Sequence, residues 1–119
     1  MNNYSVNEMQ KRVLDTAFQV SDDYYLRLRT IDFIKGDSIY GSCNPSYRSI
    51  KIKLEYSDGE LVPEMEVWRT LAHELAHLIY PNHGAEFWEL NKQLVEHISK
   101  LLNKKIRPEI AFTKKGVVY

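Results

Sequence analysis

The chain is short of histidine and of cysteine, and it carries no excess of either charge. Its single cysteine, Cys43, excludes an internal disulfide. Its 16 basic side chains balance 16 acidic ones, for a net charge of zero. Nothing global therefore argues for a nucleic acid or an anionic membrane as partner. No apolar run is long enough to cross a membrane. Residues Met1 to Ser5 lack the basic and apolar regions of a signal peptide. Together with the lone thiol, these absences lead us to expect a cytoplasmic protein with no membrane partner. No repeat, low-complexity tract or linker interrupts the chain.

What remains is an ordinary globular composition, 44% hydrophobic and 27% charged over 119 residues, which predicts one small domain over residues 1–119. Such a chain buries about two thirds of its unfolded surface, a core modest enough that a bound metal would be a useful staple.

The order of elements predicts an α+β fold. Ser5 and Glu8 form the pattern S-x-x-E, a capping box. Val6, Met9, Val13, Ala17 and Val20 follow at helical spacing, so the first helix is expected to run to about Ser21 and to break at Asp22-Asp23. Tyr24 to Ile34 and Ile39 to Cys43 read as strands. Ile50, Ile52, Leu54 and Tyr56 alternate with Lys51, Lys53 and Glu55, the clearest strand pattern in the chain. A second helix is expected from near Pro63, with Val67, Trp68, Leu71, Ala72, Leu75 and Ile79 buried, ending near Tyr80 because Pro81 disfavours helix before it. A third helix presents Phe87, Leu90, Leu94, Ile98 and Leu101 as one stripe. Residues from about 104 to 119 read as a C-terminal tail.

Three of the four histidines lie between positions 73 and 83. His73 and His77 frame the pentapeptide H-E-L-A-H. On a helix, residues four apart sit roughly 40° apart around the axis, so both imidazoles point the same way and can hold one ion. Glu74 follows His73 directly and is left free to work on solvent. Zinc lowers the pKa of its bound water to about 7, and a neighbouring carboxylate can take the proton. We therefore expect one zinc ion on His73 and His77, with Glu74 as general base.

His83 is the expected third metal ligand. The helix stops before Pro81, and the turn lets His83 swing back. The spacing matches the extended metzincin pattern H-E-x-x-H-x-x-G-x-x-H, with Tyr80 in the place of its glycine. Glu86 or Glu89 from the third helix would be the competing ligand, giving two histidines and a glutamate. His97 reads as structural. Tyr47, Tyr56 and Tyr80 are candidate donors to a developing oxyanion. Cys43 reads as an inert thiol.

The segment from His73 to Trp88 resembles the SprT-like metallopeptidases and their relatives, the WLM and YgjP-like families. The shared features are H-E-x-x-H, a later histidine, and an aromatic four residues after it, here Phe87 beyond Asn82-His83-Gly84. The short gap before His83 is closer to the WLM and YgjP-like pattern. The resemblance implies a zincin-like single domain, with zinc held by His73, His77 and His83, Glu74 catalytic, and Phe87 and Trp88 packed under the site. Tyr40 to Pro45 and Ile50 to Ile52 resemble the sheet edge that borders the cleft in these families, where an extended peptide can pair with the strand.

The function expected from these residues is zinc-dependent hydrolysis of peptide bonds in a protein or peptide substrate. One alternative is a binding module that keeps zinc only for structure. Another is a DNA-associated protease of crosslinked proteins, since some relatives act there. The local positive excess is Lys100, Lys104, Lys105, Arg107, Lys114 and Lys115 against Glu109, which reads as a solvated helix end and tail. No phosphate-binding glycine loop suggests a non-peptidic hydrolase.

Overall fold

Ser5 opens the first helix by reciprocal hydrogen bonds. In the computed structural model, which describes residues 4–107, the Glu8 N–H donates to Ser5 Oγ at 3.2 Å and the Ser5 N–H donates to Glu8 Oε1 at 3.0 Å. Helix α1 spans Val6–Tyr24 and buries Met9, Val13, Ala17 and Val20. It continues past Asp22-Asp23 because its end is decided by a cap. Tyr25 turns left-handed at φ 56°, and its N–H returns to the carbonyls of Asp22 and Ser21.

The strand expected from Tyr24 is shorter than its composition suggests. Tyr25 and Arg27 both hold positive φ, which a β-strand cannot accommodate. Strand β1 begins only at Thr30 and ends at Lys35. The connecting carbonyls of Leu26 and Arg27 accept hydrogen bonds from the Arg48 guanidinium. Strands β2 (Gly41–Asn44) and β3 (Ser49–Glu55) form an antiparallel hairpin, and β1 pairs with β3 in parallel, giving the order β1-β3-β2. The four-residue strand β2 is thus an edge.

Ile50, Ile52 and Leu54 face the core. Gly41 pairs with Ile52 and Cys43 with Ile50, so both lie on the same face. Lys53 points to the other face but is not solvated as the alternation predicts. It is 2% exposed, with Nζ 4.2 Å from the Tyr40 ring centre and 5.0 Å from that of Tyr56. The two rings cover the outer face, and their π faces attract the ammonium.

Helix α2 (Glu64–His77) and helix α3 (Ala85–Leu102) close the other side of the core. Lys104, just after α3, bonds Glu64 at the start of α2, so the two helices run antiparallel. Burial pushes the Glu64 carboxyl up, but the Lys104 and Trp68 hydrogen bonds and the Lys104 and Arg12 charges outweigh it and hold it below its ordinary value. On α3 the buried set is Phe87, Asn91, Leu94, Val95 and Ile98, and Leu101 of the expected stripe is exposed. Three helices and a three-stranded sheet make the α+β fold that the pattern predicts. No helix among the described residues is long and apolar enough to cross a membrane. Of the expected tail, Ile106 is buried and the Arg107 carbonyl accepts from Arg69 Nε at 2.8 Å. Residues 108–119 lie outside the described residues.

Candidate metal centre

The second helix is built to bury one end of itself. Glu64 and Glu66 lie in its first turn, where the helix dipole favours negative charge, and every residue from Thr70 to His77 is buried. The helix ends at His77, three residues before the expected stop at Tyr80. The N–H groups of Leu78 and Ile79 close tight turns onto the carbonyls of Leu75 and Ala76. Pro81 has no N–H to continue the ladder. The chain reverses there, and α3 starts at Ala85 with Gly84 as its cap.

This reversal brings His83 back over α2. His73 Nε2 lies 3.2 Å from His77 Nε2 and 3.1 Å from His83 Nε2, and the latter two are 3.0 Å apart. His73 and His77 are buried, whereas His83 is exposed. Among the described residues this is the one group of three or more His, Cys, Asp or Glu side chains gathered closely enough to share an ion. The competing carboxylates do not join it. Glu86 and Glu89 line a groove with Ile79 and Leu90 that none of the three histidines walls.

Two interactions orient the rings. His77 Nδ1 is 2.9 Å from the Tyr80 carbonyl oxygen. A carbonyl only accepts, so Nδ1 carries the proton, and in the neutral ring Nε2 is the nitrogen that carries the lone pair. Phe87, wholly buried, sits beneath all three imidazoles, with ring centres 4.8 Å from His73, 4.5 Å from His77 and 4.9 Å from His83. Trp88 stacks on His83 at 5.9 Å with an interplanar angle of 28°.

Glu74 is fully buried. It faces the edge strand at Gly41. A Cβ at Gly41 would lie 3.1 Å from Glu74 Cγ, 2.6 Å from Thr70 Cγ2 and 2.8 Å from the Lys51 carbonyl oxygen. No side chain fits between strand and helix there. The residue patterns do not single out Gly41 or Thr70, although a glycine inside a strand is the signal of a close backbone approach.

Cys43, one pleat along β2, walls a cavity of about 260 Å³ together with Pro45, His77, Pro81 and His83. Burial, followed by the charge of Glu74, pushes its thiol up to about 12, with Arg48 opposing. It stays protonated at neutral pH and is a poor nucleophile.

The other candidate side chains have partners or positions of their own. His97 Nε2 is 2.7 Å from Asp23 Oδ2 and its ring meets Tyr24 edge-on. The Tyr56 hydroxyl is 3.3 Å from that of Tyr40. Tyr47 is exposed, and Tyr80 lines the groove shared with Glu86 and Glu89.

No curated protein matches the chain. Among solved structures, the fold is similar to the metallopeptidase zymogen of Pyrococcus abyssi abylysin, with a TM-score of 0.52 at 19% identity over 80% of this chain and 99% of that one. A model of the WLM domain family matches residues 33–118, which include β2, β3, α2, the three histidines and α3. The chain thus belongs to the WLM domain family, and its fold is that of a metallopeptidase.

Proposed function

We propose that the protein is a zinc-dependent peptidase in which His73, His77 and His83 hold one ion and Glu74 is the catalytic base. The observation that carries this reading is the convergence of three Nε2 atoms within 3.2 Å of one another beside a buried carboxylate. Three imidazole nitrogens brought this close can each turn a lone pair to one shared cation. Tetrahedral ligands about 2.0–2.1 Å from zinc are about 3.3 Å apart, close to the spacing here. A nitrogen-only donor set with His77 held by a carbonyl through its other nitrogen suits zinc and is a familiar supporting arrangement.

When bound, zinc supplies Lewis acidity, drawing electron density from a carbonyl oxygen and making solvent more acidic. The remaining work falls to the protein. Glu74 accepts a proton from the attacking water at its carboxylate and delivers it to the leaving amine nitrogen. Its burial keeps that proton out of bulk solvent. The free edge of β2 offers main-chain donors and acceptors to an extended peptide beside the histidines. This is what makes a protein or peptide the favoured substrate.

A purely structural zinc would call for four protein ligands, and three gather among the described residues. The deciding experiment compares wild type with Glu74→Gln on an unfolded protein substrate, with zinc content measured in both. Metal-dependent cleavage that disappears in a zinc-loaded variant is expected. Equal rates in the two would end this mechanism.

A further inference from the structure

We infer that the substrate-binding surface extends beyond the histidines into the groove between the end of α1, the turn after α2 and the first half of α3, and that this groove takes an apolar and basic stretch of the substrate polypeptide. The inference rests on the peptidase reading and adds a substrate class to it. Three cavities follow one another from the site. The first is walled by His77, His83 and Pro81. The second, of about 260 Å³, shares Pro81 with the first and runs along Tyr80, Gly84 and Glu86. The third, of about 600 Å³, shares Tyr80, Ala85 and Glu86 with the second.

The third cavity has a defined chemistry. Leu26, Ile79 and Leu90 supply an apolar wall, and Glu86 and Glu89 stand beside it. Ile79 is 43% exposed, a β-branched apolar side chain left uncovered on a turn that the helical pattern assigns to the core. Both glutamates are exposed, and neither has a salt-bridge partner among the described residues. No lysine or arginine of the described residues lines the groove. An apolar trough with unopposed negative charge is complementary to a segment that carries leucine- or phenylalanine-like side chains next to lysine or arginine. Because the trough neighbours the histidine cavity by way of the cavity at Tyr80 and Pro81, a substrate chain that passes the histidines reaches it. Glu86 and Glu89 thereby select substrate; they do not ligate the metal.

The test uses fluorogenic peptides with one scissile core, either bare or extended on either side by Leu-Leu-Lys-Lys or by Leu-Leu-Glu-Glu. The readout is the ratio of KM values between extended and bare peptides. For wild type, the basic extension on one side is expected to lower KM about three- to tenfold with little change in kcat, and the effect is expected to shrink at high salt. In Glu86→Lys/Glu89→Lys the preference should pass to the acidic extension, and in Glu86→Gln/Glu89→Gln it should vanish. Equal KM for all peptides in wild type, or a basic preference that survives charge reversal, overturns the inference. Direct binding of the labelled peptides to the Glu74→Gln protein separates the two readings. Should wild type cleave nothing while the basic extension still binds more tightly, the peptidase reading fails and the groove stands. Should it cleave with no preference in rate or binding, the groove fails and the peptidase stands.

Discussion

Gly41 and Glu74 meet where a strand edge presses on a helix, and the fit depends on the absence of a side chain. A Cβ at Gly41 would sit 3.1 Å from Glu74 Cγ and closer still to Thr70 Cγ2 and the Lys51 carbonyl. The carbonyl belongs to β3 and cannot swing aside, so Gly41→Ala must push β2 away from α2. Overpacking of this kind costs about 1–3 kcal/mol. We expect a lower melting temperature and a fall in kcat with zinc content retained. Adding Thr70→Ser, which deletes the nearest methyl, should recover part of both; paired thermal melts and steady-state kinetics on the single and double variants would check it.

The proposed metal ligands separate from the proposed base by what each loss removes. His83→Ala should lower zinc affinity and activity together, because one of three donors is gone. Glu74→Gln should leave zinc bound and lower kcat about 10²- to 10⁴-fold, the range of general base catalysis. Glu86→Gln and Glu89→Gln should leave zinc content at the wild-type level. Elemental analysis of purified protein alongside kinetics distinguishes the three outcomes, and zinc lost from the glutamine variants of α3 would return the third ligand to that helix.

Removing zinc should destabilise the fold. A ligand that binds the folded state alone adds about 2.7 kcal/mol at a hundred times its dissociation constant. Chelation is therefore expected to lower the melting temperature, and zinc to restore it. Differential scanning calorimetry with and without chelator reads this; an unchanged transition in protein shown to have lost its zinc would mean that the three histidines hold nothing of structural weight.

Phe87 supports three imidazoles at once, so its loss should be felt twice. Phe87→Ala is expected to cost about 3–5 kcal/mol through the cavity left behind. Zinc affinity should drop as well, because the rings lose their common floor. Phe87→Leu should lose less of both, which a zinc titration followed by urea denaturation would register.

Asp23 and His97 join the end of α1 to α3. The His97 hydrogen bond, chiefly, holds the Asp23 carboxyl below its ordinary value; desolvation, next in size, opposes it, and Gln19 and the His97 charge assist. A carboxyl with a depressed folded pKa stabilises above its unfolded value, about 3.9, and that contribution is lost as pH falls through the folded value. The melting temperature of wild type should exceed that of Asp23→Asn at pH 5 to 6, and the gap should close in strong acid. Melting curves over that range are the check, and a gap that persists or widens in acid would contradict it.

The features readable from residues alone are those that depend on neighbours in sequence. The capping box at Ser5 and Glu8, the alternation at Ile50, Ile52 and Leu54, and the helix carrying His73 and His77 all rest on contacts within a few residues. They set the α+β class, and they set two imidazoles on one helix face. The approach of His83 was legible too, because Pro81 stops the ladder and leaves a short return.

Tertiary contacts decided the rest. Tyr25 and Arg27, both at positive φ, cut short a strand that the composition of the stretch favours, because the chain has to turn from α1 into the sheet. Lys53 is buried because Tyr40, just before β2, and Tyr56, just past the end of β3, close over it, which no periodicity records. The parallel pairing of β1 with β3 leaves β2 at the edge, and only then does Gly41 come to lie against Glu74. A sequence pattern specifies which side chains share a face. Which faces meet, and how closely, is set by packing between distant segments, and on that packing depend the carboxylate's surroundings and the trough leading away from the histidines.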